Sequence, residues 1–127
     1  MKAGIAAAVA LVAAMTGQAM AAGGPTGSGN ELLVQCQNAI KGINSGVFKD
    51  PYDTGICFGT VSAVMGMATF YKTSVESDIR ICIPDNVTTG QGARIVVRFL
   101  QDRPELLNEE RSVLTWMALI NSYPCPK

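Results

Sequence analysis

The sequence predicts an all-α fold, a small four-helix domain pinned by two disulfides, and three observations lead there. Apolar residues recur at spacings of three and four in four separate stretches. No stretch alternates apolar and polar side chains as a half-buried strand does. Four cysteines, Cys36, Cys57, Cys82 and Cys125, sit in or beside those stretches, and an even count in a small exported domain reads as two bridges rather than as buried free thiols.

Export is expected from the first segment. Lys2 precedes an apolar run from Ala3 to Met15, followed by Thr16-Gly17-Gln18 and the small-residue exit Ala19-Met20-Ala21. That is the layout of a secretory signal peptide, and the run is shorter than the ~20 apolar residues a retained membrane anchor needs. Cleavage is expected after Ala21, and no cysteine follows the junction to take a lipid. The division is therefore residues 1–21 as signal peptide, 22–29 as a flexible Gly/Pro/Ser/Thr leader and 30–127 as one helical domain located in the periplasm. Ten Lys and Arg balance ten Asp and Glu, and losing Lys2 tips the remainder slightly negative with no basic block. Nucleic acid and anionic membrane surfaces are poor partners for such a chain.

Each element has its own signals. Ser28 and Glu31 have capping-box spacing, and Leu32, Leu33, Cys36, Ala39, Ile40 and Ile43 follow on one stripe, predicting a first helix over about Glu31–Ile43. Gly42, Asn44, Ser45, Gly46, Asp50, Pro51, Asp53 and Gly55 then read as an irregular connection. A second helix is expected from about Ile56 to Tyr71, with Cys57, Val61, Val64, Met65 and Ala68 as its core stripe. Its small residues Gly59, Ala63 and Gly66 read as close core packing rather than as a ligand notch. Ile81-Cys82-Ile83-Pro84 is extended, because a residue before proline avoids the helical region. Thr88 and Gln91 repeat the capping-box spacing ahead of Ala93, Val96, Val97 and Leu100, a third helix ending near Gln101, in which Gly90 and Gly92 weaken the first turn. Asp102 as cap, Pro104 and Glu105 restart the chain as a fourth helix with Leu106, Leu107, Val113, Leu114, Met117, Ala118 and Ile120 on a wide stripe, ended by Tyr123-Pro124-Cys125-Pro126.

Helix topology ranks the three possible cysteine pairings. A tight break at residues 102–104 makes the third and fourth helices an antiparallel hairpin whose outer ends meet. Cys82 lies just before that hairpin and Cys125 just after it, so they are expected to pair, leaving Cys36 to join Cys57. Loop closure gives such bridges about 3 and 4 kcal/mol.

Catalysis has little to build on. The chain has no histidine, and bridged cysteines supply no thiolate. Ser45, Lys49, Lys72 and Ser74 form no recognised Ser-Lys motif, and the paired acids Asp50/Asp53 and Glu109/Glu110 read as solvated surface. No Cys-x-x-Cys pair or histidine is present to hold a metal, and nothing calls for a cofactor. The expectation is a protein that is not an enzyme and acts by contact. Ranked by exposure and chemistry, the partner-binding candidates are the loop holding Lys72, Ser74, Glu76 and Asp78, the turn from Asp85 and Asn86 to Thr89, and the junction of Asp102, Arg103 and Glu105. Trp116 joins them as a half-buried anchor for a partner or homodimer, or as an edge-of-core aromatic.

From Asn30 onward the chain resembles the Rap/Tai family of type VI secretion immunity proteins. The resemblance rests on Asn30-Glu31-Leu32-Leu33 with Cys36, Cys57-Phe58-Gly59 opening a helix that reaches Gly66, and Cys82-Ile83-Pro84. It continues with Val87-Thr88 and Gln91, Phe99-Leu100 before Arg103-Pro104-Glu105, and Ala118-Leu119 before Tyr123-Pro124-Cys125. It implies a periplasmic helical protein, often a homodimer, that binds a peptidoglycan amidase toxin and plugs its substrate cleft. Two other classes are compatible with a small, helical, disulfide-held periplasmic domain: an acid-stress chaperone of the HdeA type, and an inhibitor of a lysozyme-like enzyme.

Overall fold

The computed structural model describes residues 27–127. The expected signal peptide and most of the leader lie outside the described residues. Four helices run in order: α1 Gly29–Ser45, α2 Pro51–Phe70, α3 Thr89–Asp102 and α4 Arg111–Ser122, with 3-10 turns at Ser77–Ile79 and Pro104–Leu106.

Helix α1 begins as its spacing predicts. The Ser28 hydroxyl accepts from the Glu31 N–H while the Glu31 carboxylate accepts from the Ser28 N–H, so two donors at the helix start are satisfied reciprocally. Gly46 ends it in the left-handed conformation, φ 73°, with its N–H on the Gly42 carbonyl. Leu32, Cys36 and Ala39 are buried, with Leu33 and Ile40 packed beside them.

Helix α2 starts at Pro51, earlier than the expected Ile56. The residues that read as a loop are start signals. The Asp50 carboxylate accepts from the Asp53 N–H, and Pro51 occupies the first turn, where a missing N–H costs nothing. The inner face of α2 buries Cys57, Val61, Val64 and Ala68. Cys36 and Cys57 are bonded and fully buried, stapling α1 to α2 inside the core.

Helix α3 has the second capping box, Thr88 with Gln91. Ala93, Val96, Val97 and Leu100 are all buried. Gly92 is more than a weak position: a Cβ there would lie 2.8 Å from Val61 Cγ1 and 3.0 Å from Met65 Sδ, so its absence lets α3 rest on α2.

The fourth helix differs most from its expected course. It starts at Arg111, capped by Glu110, whose carboxylate accepts from the N–H groups of Ser112 and Val113. Asp102 ends α3 instead, and Leu106 and Leu107 pack on the core from a non-helical segment. The reason is tertiary. Carbonyls that a longer helix would use are taken by the entry to α1: Leu107 accepts from the Asn30 N–H at 2.9 Å and Glu109 from the Gly29 N–H at 3.0 Å. The inward stripe is Leu114, Thr115, Ala118 and Leu119, whereas Val113 and Met117 face outward. Thr115 is tolerated there because its hydroxyl donates to the Arg111 carbonyl at 2.7 Å.

The segments that enter α3 and leave α4 are tied together, although the connection between these helices is longer than a tight break. Cys82 is bonded to Cys125, and the Cys82 N–H donates to the Tyr123 carbonyl at 2.9 Å. Among the described residues there is no strand, only isolated bridges at Ser28–Glu110 and Ile81–Pro124.

Candidate partner-binding surface

The surface candidates fall into two groups, one in the segments that precede α3 and one at its C-terminal end. Lys72, Ser74, Glu76 and Asp78 are exposed on the connection leaving α2, and Asp85 and Asn86 are exposed on the turn before α3. Both segments flank the buried Ile81 and the Cys82–Cys125 bridge, which fix their ends. The Arg80 side chain donates from Nε to the Val75 carbonyl at 2.6 Å and closes the longer loop on itself. Trp116 holds that loop to α4: its indole N–H donates to the Ile79 carbonyl at 3.0 Å, while its ring packs on the Val64–Leu119 cluster. It therefore shapes the loop that carries Lys72 to Asp78.

Asp102, Arg103 and Glu105 lie at the C-terminal end of α3, about 20 Å along this fourteen-residue helix from the Asp85–Asn86 turn that precedes it. Arg103 reaches Glu105 at 4.0 Å and stands over the Phe99 ring at 5.8 Å. With Arg98 and Asn121, Asp102 and Arg103 line a groove of about 420 Å³ between α3 and α4. A second groove, about 580 Å³, opens beside the α1–α2 connection and is lined by Asn38, Lys41, Asn44, Val47, Lys49 and Asp50.

Glu110 carries the one resolved pKa shift among the described residues. Burial acts to raise it, but the N–H groups of Ser112 and Val113, the Ser112 hydroxyl and the Arg111 charge outweigh that, and the carboxyl is held below its ordinary value. This is a helix cap at work and needs no reacting partner.

One surface went unrecognised in the sequence. The outer face of α2 is uncovered: Tyr52 is 71% exposed, Met67 48% and Phe70 87%. Gly59, Ala63 and Gly66, expected inside the core, lie on this face, and a Cβ at Gly59 or Gly66 would meet nothing within 4 Å. The available signal was charge, since no Asp, Glu, Lys or Arg occurs from Thr54 to Tyr71.

The family model of Rap1a immunity proteins matches residues 28–125, which is nearly the whole described domain and includes both bridges. The chain belongs to the Rap1a immunity protein family. Members of such a family act by binding a protein effector, and the exposed loops, the two grooves and the bare face of α2 are the surfaces this immunity protein offers for contact. No curated protein and no solved structure matches the chain.

Proposed function

We propose that this chain is a periplasmic type VI immunity protein that binds a secreted peptidoglycan amidase and blocks its substrate cleft without catalysis of its own. The observation that carries the reading is family membership over residues 28–125. The fold supports it physically. A blocking protein must present a fixed shape, because loops that order only on binding lose affinity to entropy. Here one staple lies in the core, the other ties both chain ends of the α3–α4 pair, and Trp116 and Arg80 pin the Lys72–Asp78 loop. Lys72, Ser74, Glu76, Asp78, Asp85 and Asn86 form one contact region, and Asp102, Arg103 and Glu105 with their groove form the other. The family resemblance adds that two copies act together.

An acid-triggered chaperone fits less well. Such a protein opens when paired or buried carboxylates take up protons. In the described core the buried polar side chain is Thr115, and the ion pair present, Arg103–Glu105, is exposed.

The test is protection in cells. A strain that lacks the chain and receives the amidase in its periplasm should lyse. It should be rescued by the chain carrying residues 1–21 and remain unprotected when that segment is deleted. Rescue by neither form would contradict the reading.

A further inference from the structure

The two bridges differ in their access to water. Cys36 and Cys57 are fully buried among Leu32, Val61, Val96 and Leu100. Cys82 and Cys125 are both partly exposed, and Cys125 lines a pocket of about 170 Å³ with Ser77, Asp78, Arg80, Pro124 and Lys127. A disulfide opens when a thiolate attacks one of its sulfurs, so access decides which bridge exchanges. A hydrated anion does not enter an apolar core. Exchange at the core staple therefore waits for the domain to unfold, whereas the outer bridge can be reached in the folded state.

The bridges also differ in what else holds the chain around them. Cys36 and Cys57 each sit inside a helix, whose own hydrogen bonds persist whether or not the sulfurs are joined. Cys125 lies in the run Pro124-Cys125-Pro126, and neither proline has an N–H to donate. Beyond the bridge, the tail is joined to the segment before α3 through the Tyr123 carbonyl, which accepts from the Cys82 N–H at 2.9 Å. Upstream of Cys82 the tethers are stronger: Ile81 is buried and the Trp116 indole holds the Ile79 carbonyl. Loss of the S–S bond is thus felt most at residues 82–87, which hold the Asp85–Asn86 turn, and at residues 124–127.

We propose that Cys82–Cys125 is a thiol–disulfide exchange site for a dithiol, entered at Cys125 in the folded state, and that opening it frees residues 82–87 and the tail while the helices and the core staple persist. One thiolate of the dithiol attacks Cys125 Sγ, since Cys125 lines the pocket. The S–S bond breaks, and its electron pair leaves on Cys82 Sγ, which takes a proton from water. The second thiolate of the dithiol then attacks the dithiol sulfur of the mixed disulfide and releases Cys125, which is protonated in turn. The dithiol ends as a disulfide, oxidised by two electrons, and the bridge ends as two thiols. The exchange stands independently of the proposed function. Its effect on effector binding rests on that reading, because Asp85 and Asn86 belong to one of the two contact regions.

The experiment exposes the processed, oxidised chain to dithiothreitol without denaturant, quenches samples with iodoacetamide over time and reads each cysteine by peptide mass spectrometry. Cys82 and Cys125 should be alkylated at least about 100-fold faster than Cys36 and Cys57. The helical circular dichroism spectrum should be retained, with amide exchange accelerated at residues 82–87 and 125–127. With glutathione, a monothiol, the trapped adduct should sit on Cys125. Equal rates at the two bridges, or loss of helix as the outer one opens, overturns the site. An adduct confined to Cys82 overturns entry at Cys125. The double variant Cys82→Ser, Cys125→Ser should reproduce the amide-exchange pattern and bind a type VI secreted amidase at least about 10-fold more weakly than the oxidised parent chain. Full affinity in that variant overturns the release of a contact region and leaves the exchange site standing. A chain that exchanges as described but binds no such amidase in either form overturns the proposed function alone.

Discussion

Helix α2 has two faces of nearly the same chemistry and opposite fates. Cys57, Val61, Val64 and Ala68 are buried on one, while Tyr52, Gly59, Ala63, Met67 and Phe70 face outward on the other. Neither carries a charge. What separates them is where glycine sits on the facing element. Gly92 of α3 lets the inner face be approached within van der Waals distance, whereas the glycines of the outer face have nothing packed on them. A small residue thus marks a close approach only when its partner is present, and the inner partner belongs to this chain.

The contrast can be broken from the inner side first. Replacing both members of the core staple, Cys36→Ala with Cys57→Ala, should cost about 4 kcal/mol: roughly 3 for loop closure, the rest for two fully buried sulfurs. Denaturant unfolding measures it, and a loss under about 1 kcal/mol would place the staple outside the cooperative core.

Glycine substitutions give the sharpest difference in sign. Gly92→Ala forces a Cβ against Val61 and Met65 and should cost about 2 kcal/mol. Gly59→Ala should gain up to about 1 kcal/mol because a Cβ there meets nothing and only helix propensity changes. Equal signs for the two would erase the distinction between the faces.

The second cluster under α2 is tested by Trp116→Phe, which keeps a ring against Val64 and Leu119 but removes the donor to the Ile79 carbonyl. The expected cost is about 1 kcal/mol, with faster amide exchange confined to residues 71–80.

The smallest effect concerns the cap of α4. Glu110 has its folded pKa lowered below 4.5, so it binds protons more weakly folded than unfolded. Its stabilisation is present above pH 4.5 and fades as pH falls through the lower folded value. Glu110→Gln should cost under about 1 kcal/mol near neutrality and flatten the acid limb of the stability profile. An unchanged acid limb would remove the cap's role.

Much of this fold is legible in the sequence because its signals are local. The Ser28–Glu31 and Thr88–Gln91 boxes place two helix starts, and the stripes through Leu32 and Ala93 place two buried faces. The topology of α3 and α4 ranks the pairings correctly, even though the connection joining them is not the tight break expected. The start of α4 was hidden because it depends on carbonyls at Leu107 and Glu109 being taken by residues nearly eighty positions earlier. The start of α2 was misread because Asp50 and Pro51 signal a turn and a helix entry alike. Of the contact candidates, the loops are exposed as their polarity implies, while the bare face of α2 was invisible to hydropathy, which scores a buried and an uncovered apolar face identically.

The central claim, a rigid domain that stops an amidase by occupying its cleft, is tested most directly by titrating peptidoglycan cleavage with the processed, oxidised chain. Turnover by a type VI secreted amidase that the chain binds should fall linearly to zero at one chain per enzyme. Turnover unchanged by a several-fold excess of folded chain would contradict the account.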